Sequence, residues 1–413
     1  MSTPAAPTTT PPVAAPPFAR DRLVHAWVLV KSLSDAGDAL WTIALAWTAV
    51  QVASPAMAGI VVAAGTIPRA VVLLVGGVVA DRYDSRMVMV LANAVRVVVL
   101  VATAVWVTAT GPSIEVLLVA AIAFGISDAV YEPAGSTISR QMVRPADLPA
   151  YGGLAQTGSR LGTMGGSAVG GFLVAHHGIE GSASVDALTF VGVVAFLVIW
   201  LRPRHPLDRA EAEPVLRSIR SGFGHLGRTP VTRTLVLALS GLNLAVTPAL
   251  GLGIPLRASA EGWGAQAVGL LEALVGLGAA VGALAMLRWR VRFPARIGFI
   301  CLVVQGLSIP LLGLGPLWLA GAACFVIGVT AGVASALLGS VFVATVDGAY
   351  FGRMVSIQKL GDDVLMPVAM VAFGALAGLT SVATALCVFG ISMGLLMLWP
   401  LSSRVLMSLR LGD

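Results

Sequence analysis

Asp35 and Asp38 stand one helical turn apart inside the apolar run 24–50, and Asp128 and Glu132 stand at i,i+4 inside the run 114–139. Arg160 falls near the middle of a third run, 148–176. If these runs cross a bilayer, Asp38, Asp128 and Arg160 reach mid-depth, with Asp35 and Glu132 one turn away. The i,i+4 spacing puts Asp128 and Glu132 on one helix face. A charge at mid-bilayer is costly, so each marks an ion, proton or substrate path by default. Arg160 can balance one acid, as an ion pair that locks helices, but not all four. The surplus must carry protons or meet a cationic group. A buried carboxylate among like charges holds its proton more readily than one in water, which is what a proton carrier needs. Asp128 and Asp38 are the first candidates for proton or substrate coupling, and Glu132 follows.

Other polar residues inside the runs carry less chemistry. Trp41, one turn from Asp38, is expected to line an amphipathic drug-sized pocket with Tyr131, Asn243 and the lone acid Glu272. Trp47 and Trp263 read as interfacial belt residues. Asp186 reads as a helix-end or packing residue, and Lys359 with Asp363 as an i,i+4 structural or gating pair. Arg69 and Arg96 are placed toward the basic ends of their runs, supporting the loop between them. His176-His177 has no acid or Cys spaced to complete a metal site, and no metal is expected.

The elements that must hold these residues follow from composition. The chain has 413 residues, 57% of them hydrophobic, with 47 Gly and only 11% charged. A soluble domain carries roughly 25% charged residues. That excludes an ordinary soluble enzyme, and the apolar content excludes disorder. The three Cys lie singly inside apolar runs and read as small core residues. Crossing the hydrocarbon takes roughly 20 residues. Twelve runs qualify: 24–50, 56–80, 87–109, 114–139, 148–176, 183–201, 232–257, 265–287, 295–313, 316–345, 353–378 and 380–401. The gap 202–231 holds six Arg and a helically spaced apolar set, Val215, Ile219, Phe223 and Leu226. It predicts an amphipathic helix on the membrane surface. With the N-terminus inside, twenty Lys and Arg fall on the inner side and Arg257 alone on the outer. That places both termini in the cytoplasm, in a cytoplasmic (inner) membrane. It also removes nucleic acid as a partner: the positive charge is topological.

Two motifs carry a family resemblance. The loop after the second run reads Gly77-Val-Val-Ala-Asp81-Arg82-Tyr-Asp84-Ser-Arg86. It resembles the GxLaDrxGrk signature of the major facilitator superfamily, at the place that family has it. Asp84 stands where the family usually has Gly, which is expected to loosen the turn. In the fifth run, Gly153, Gly162 and Gly166-Ser167-Ala-Val-Gly170-Gly171 are similar to the g(x8)GxxxGPxxGG pattern of drug:proton antiporters, with Ser167 in place of Pro. Small-residue packing alone accounts for a GxxxG but less well for the whole string. Gly162, Gly166 and Gly170 are expected to meet a helix of the other half, span eight. The stretch from Gly125 to Gly171, with Asn93-Ala-Val-Arg96 and Val185-Asp186-Ala187, resembles twelve-span macrolide-efflux and enterobactin-type exporters.

The resemblance implies an all-α membrane protein of twelve transmembrane helices in two six-helix bundles around a central cavity. The expected division is a Pro-rich tail over 1–22, bundles over 23–201 and 232–402, a linker over 202–231 and a tail over 403–413. No GxSxG, HExxH, Walker lysine or dinucleotide loop is present, so the chain reads as no enzyme and needs no cofactor. A monomer is expected, exporting a small amphipathic molecule through the lipid bilayer on a proton gradient. Export of a siderophore, a biosynthetic product or a lysolipid on the same scaffold is the alternative. A non-transporting receptor or an intramembrane enzyme is the alternative of another class.

Overall fold

A computed structural model describes residues 16–68, 84–204, 215–289 and 291–408. Gly77, Asp81, Arg82 and Arg69, and most of the Pro-rich tail, lie outside the described residues. The first bundle contains α1 (Arg22–Val52), α2 (Pro55–Ala64), α3 (Ser85–Thr110), α4 (Ile114–Met142) and α5 (Leu148–Ile199). α6 (Val215–Arg228) links it to the second bundle. There α7 (Pro230–Pro248) continues through a π turn, Ala249–Gly253, into α8 (Ile254–Ala260). α9 (Gly264–Arg288), α10 (Pro294–Leu314), α11 (Leu317–Thr345), α12 (Gly348–Leu379), α13 (Val382–Leu401) and α14 (Arg404–Ser408) complete it.

Among the described residues nine helices are long and apolar enough to cross a membrane. One of the nine is two spans joined end to end. Gly178 breaks α5 with φ of 63°, a left-handed conformation open to glycine. α1 has 31 residues and falls short of that criterion only in hydropathy, carrying Lys31, Asp35 and Asp38 in its middle. The run that begins with α2 stops at the limit of the described residues. Together these are the twelve spans and two bundles of the sequence reading. Large side chains such as Leu29, Leu287 and Leu379 stand exposed on the outer surfaces, as lipid-facing positions require.

The helix starts are written locally. Ser54 caps α2 ahead of Pro55, and Ser381 caps α13 through the Thr384 N–H at 3.0 Å. Asp84 is the first described residue after the loop. Its Oδ1 accepts from the Arg86 and Met87 N–H groups at 2.8 and 3.1 Å and caps α3. Arg86 donates to the Leu197 carbonyl at 2.6 Å, one of the last carbonyls of α5, which have no partner within their own helix.

Gly158, Gly162, Gly166 and Gly170 lie against Ser32, Ala36 and Leu40 of α1, not against span eight. A Cβ on Gly170 would stand 2.8 Å from the Leu40 Cα, so two backbones touch along this seam. Only Gly171 meets span eight, which is α9. A Cβ there would stand 2.7 Å from the Ala265 carbonyl oxygen and from the Gly269 Cα. Gly153 has open space beside it. The two bundles close on the face away from the chain termini. α5 meets α9 there, and α12 meets α2, where a Cβ on Gly59 would stand 2.8 Å from the Met370 carbonyl. Gln51 donates to Ser259 across the same seam at 3.0 Å. α6 packs against α12. His225 stacks on Tyr350 at 4.1 Å, and Gly222 lies against Met354 and Ile357 of α12.

Candidate functional site

A cavity of about 480 Å³ opens between α1, α3, α4 and α5. Lys31, Asp35, Asp38, Arg96, Asp128, Tyr131 and Glu132 line it, with Tyr151 and Ser159 of α5. Four acids meet here, and three have a cation each. Lys31 donates to both oxygens of Asp35 at 3.1 Å, within one helix. Arg96 pairs with Asp128 between α3 and α4. Lys359 of α12 reaches across from the second bundle to Glu132. Asp38 has neither hydrogen bond nor ion pair at its carboxylate among the described residues.

Arg96 is the anchor of this wall. It is 2% exposed, and its guanidinium lies 4.8 Å from the Tyr131 ring centre and 5.0 Å from that of Phe190. Those ring faces and the Asp128 carboxylate together replace the water it has lost. The placement of Arg96 beside the loop of Asp81 is therefore corrected. It sits at mid-span, packed into the site. Arg160 is corrected too: it forms no ion pair among the described residues and does not line this cavity. Lys359, read from its spacing as paired within α12, makes a contact between bundles. Asp128 and Glu132 share the cavity, as their common face requires, but answer to cations on different helices.

Asp38 also lines a second cavity of about 330 Å³, with Asp35, Ser159, Ser167 and Glu272. Asp38, Asp35 and Ser159 thus form a wall common to both spaces. Glu272, on α9, makes no hydrogen bond or ion pair among the described residues. Behind α1 lies a fifth acid. Asp186 is fully buried against Gly37; its Oδ1 accepts from Thr189 at 3.0 Å and its Oδ2 has no partner.

The expected pocket residues separate. Tyr131 lines the acid cavity and Glu272 the space beyond Asp38. Trp41 lines neither: it is 3% exposed and stacks on Phe124 at 5.4 Å, so the pocket role assigned to it is withdrawn. Asn243 lines a third cavity of about 570 Å³ in the second bundle, and donates to Asp362 at 2.8 Å.

Sequence reasoning missed Lys31, Arg96 and Lys359 as members of the site. Arg96 was within reach, because it lies close to the centre of α3. Lys359 was not, since helical spacing offers it an acid on its own helix.

Comparison with known proteins bears on what such an arrangement is for. The family model described as Major Facilitator Superfamily matches residues 28–360. The enterobactin exporter EntS of Shigella boydii serotype 18 is 29% identical over 352 residues, 82% of this chain and 80% of the relative. EntS of Escherichia coli O139:H28 matches to the same extent, 29% over 352 residues. Among solved structures, the nucleoside transporter NupG superposes with a TM-score of 0.73 at 14% identity, covering 93% of this chain and 100% of its own. The xylose transporter XylE of E. coli, in an inward open conformation, superposes with a TM-score of 0.69 at 12% identity, covering 92% and 96%. At those identities the structures bear on the fold alone.

Proposed function

Because the chain belongs to the major facilitator superfamily, and is a multi-pass membrane transporter rather than an enzyme, we propose that it is an exporter that exchanges protons for a small amphipathic compound. Asp38 is the exchange site. The carrying observation is that, among the described residues, Asp38 alone of the four acids around one cavity has no hydrogen bond or ion pair at its carboxylate, and it stands on the wall between two spaces. An unpaired carboxylate in such a place is stable when it holds a proton or meets a cationic group of the cargo. The two occupants exclude each other, which is the condition for antiport. Asp35, Asp128 and Glu132 position the wall and carry less of the exchange, because each already has its cation. No cofactor is needed on this reading. The basic face, with twenty of the Lys and Arg, is the cytoplasmic face of an inner membrane.

A second reading concerns the cargo. The relatives named enterobactin exporters, at 29% identity over most of both chains, favour a siderophore or other biosynthetic product on the same scaffold.

The test is proton flux in proteoliposomes carrying a pH-sensitive dye, with tetraphenylphosphonium as the first cationic probe and a panel of amphipathic compounds behind it. Asp38→Asn is expected to abolish cargo-induced proton movement while unfolding within about 0.5 kcal/mol of wild type, because no ion pair is lost. Asp38→Glu is expected to retain part of the flux. Normal proton-driven export by Asp38→Asn would sink the assignment.

A further inference from the structure

The acid cavity has a counterpart in the second bundle, position for position. Arg96 stands as far from the start of α3 as Gln305 stands from the start of α10. Counted likewise from the starts of α4 and α11, Asp128 corresponds to Ala331 and Glu132 to Ser335. From the starts of α1 and α7, Asp35 corresponds to Asn243 and Asp38 to Val246. Each of these residues lines its own bundle's cavity. The counterpart holds about 570 Å³ and has lost every charge on the way. What polarity it keeps is neutral: the amides of Asn243, Gln305 and Gln358, and the Ser335 hydroxyl.

Those groups are not equally occupied. The Asn243 amide already donates to Asp362. Gln305 is 2% exposed, and its Oε1 is buried without a partner among the described residues. A buried acceptor left unmade is a standing cost, and a donor in the cavity removes it when the Gln305 amide turns its oxygen toward the cavity. A charged ligand would lose its hydration here with no counter-ion among the lining residues. An apolar group bearing one O–H or N–H loses little and gains both the wall contacts and the hydrogen bond.

We propose that this cavity is a binding subsite for an uncharged apolar or aromatic group carrying one hydrogen-bond donor, received by Gln305 Oε1. The proposal rests on the reading of the chain as a small-molecule carrier, and not on which ion drives it. It divides recognition of an amphipathic cargo between the bundles: the first meets its charge, the second its neutral part.

The probe is tritiated 2-naphthol, binding to the full-length protein in nanodiscs after subtraction of empty nanodiscs. 2-Methoxynaphthalene, with a similar ring and no donor, is the comparison. Wild type is expected to bind 2-naphthol about tenfold tighter, the factor that one net hydrogen bond gives. Gln305→Leu, similar in volume, should erase the preference and leave 2-methoxynaphthalene binding unchanged. Gly339→Phe should abolish binding of both. Gly339 lines the cavity, and a Cβ added there meets nothing within 4 Å, so the ring enters open space instead of a neighbour. Thermal unfolding in the same nanodiscs reports whether each variant folds. No preference in wild type, or a preference that survives Gln305→Leu, overturns the proposal. So does undiminished binding by folded Gly339→Phe, which is the outcome expected of a space filled by a lipid tail. Failure of the Asp38→Asn flux assay would remove the proton coupling and leave these binding results standing.

Discussion

The seam between α1 and α5 and its counterpart between α7 and α12 are built from opposite materials. Counted from the helix starts, Gly158, Gly162, Gly166 and Gly170 of α5 correspond to Gln358, Asp362, Met366 and Met370 of α12. In the first bundle two backbones touch, and nothing on that face can swing or repack. In the second, the matching positions carry long side chains, and one of them, Asp362, takes a hydrogen bond from Asn243 of α7. The difference matches the cavities the seams support. A wall of paired charges tolerates little displacement, because each unpaired charge in a low-dielectric site is expensive. A neutral apolar wall can adjust to what it holds. The rigid seam therefore stands beside the acid cavity and the compliant one beside the amide cavity.

The largest expected effect comes from making the first cavity resemble the second. Arg96→Gln installs the residue type of Gln305 and leaves Asp128 without its cation. Breaking a fully buried pair costs about 3–5 kcal/mol, and because Asp128 is 36% exposed and screened by water the loss here is expected at the lower end, about 3 kcal/mol. Adding Asp128→Ala, the type of Ala331, removes the orphaned charge and should recover most of that loss. A double-mutant cycle by unfolding in nanodiscs checks it. If the double variant is no more stable than Arg96→Gln alone, Arg96 is held by its aromatic neighbours and not by Asp128.

The seams themselves give the next effect. Gly166→Leu places a side chain against the Ala36 carbonyl of α1, which is backbone and cannot yield. Overpacking of this kind costs about 1–3 kcal/mol. Met366→Leu, at the matching position of α12, conserves volume and should cost less than about 1.5 kcal/mol. Equal losses for the two would mean that the glycine seam is no tighter than its counterpart.

The same comparison shows what was legible in the sequence. Span number and the break between the runs 148–176 and 183–201 follow from apolar run length, which local physics fixes, and the two-bundle architecture was implied by the family resemblance. The acids Asp35, Asp38, Asp128 and Glu132 were legible as a group, because depth in the membrane is counted along the chain. The partners of Asp128 and Glu132 were not. Helical spacing proposes cations on the same helix or at the same depth, hence Arg160 and the Lys359–Asp363 pair. The structure draws them from other helices, Arg96 from α3 and Lys359 from α12. The glycine string announces a close approach but not to what. Small residues state that a neighbour is near, and only the packed fold says that it is α1.

The smallest effect belongs to the place where the bundles touch through charge. Lys359 stands at the position of α12 that Ser159 holds in α5, and its ammonium crosses to Glu132 of α4. Both side chains are about two-fifths exposed, 38% and 42%, so water and salt screen the pair. Its contribution to folding is expected to be at most about 1 kcal/mol. Lys359→Met should therefore unfold almost as wild type does. Its effect is on the relative position of the bundles, since the pair joins α4 of one to α12 of the other. Distances between spin labels on the two helices should lengthen or broaden in Lys359→Met. Wild type should respond in the same way when salt is raised from about 0.1 M to 1 M, where the screening length falls from about 10 to 3 Å. The variant should then respond no further to salt. Exchanging the charges, Glu132→Lys with Lys359→Glu, should restore the wild-type distances. A wild-type distribution that is indifferent to both salt and Lys359→Met would show that the rigid and compliant halves are held together by the glycine contacts at the far face alone.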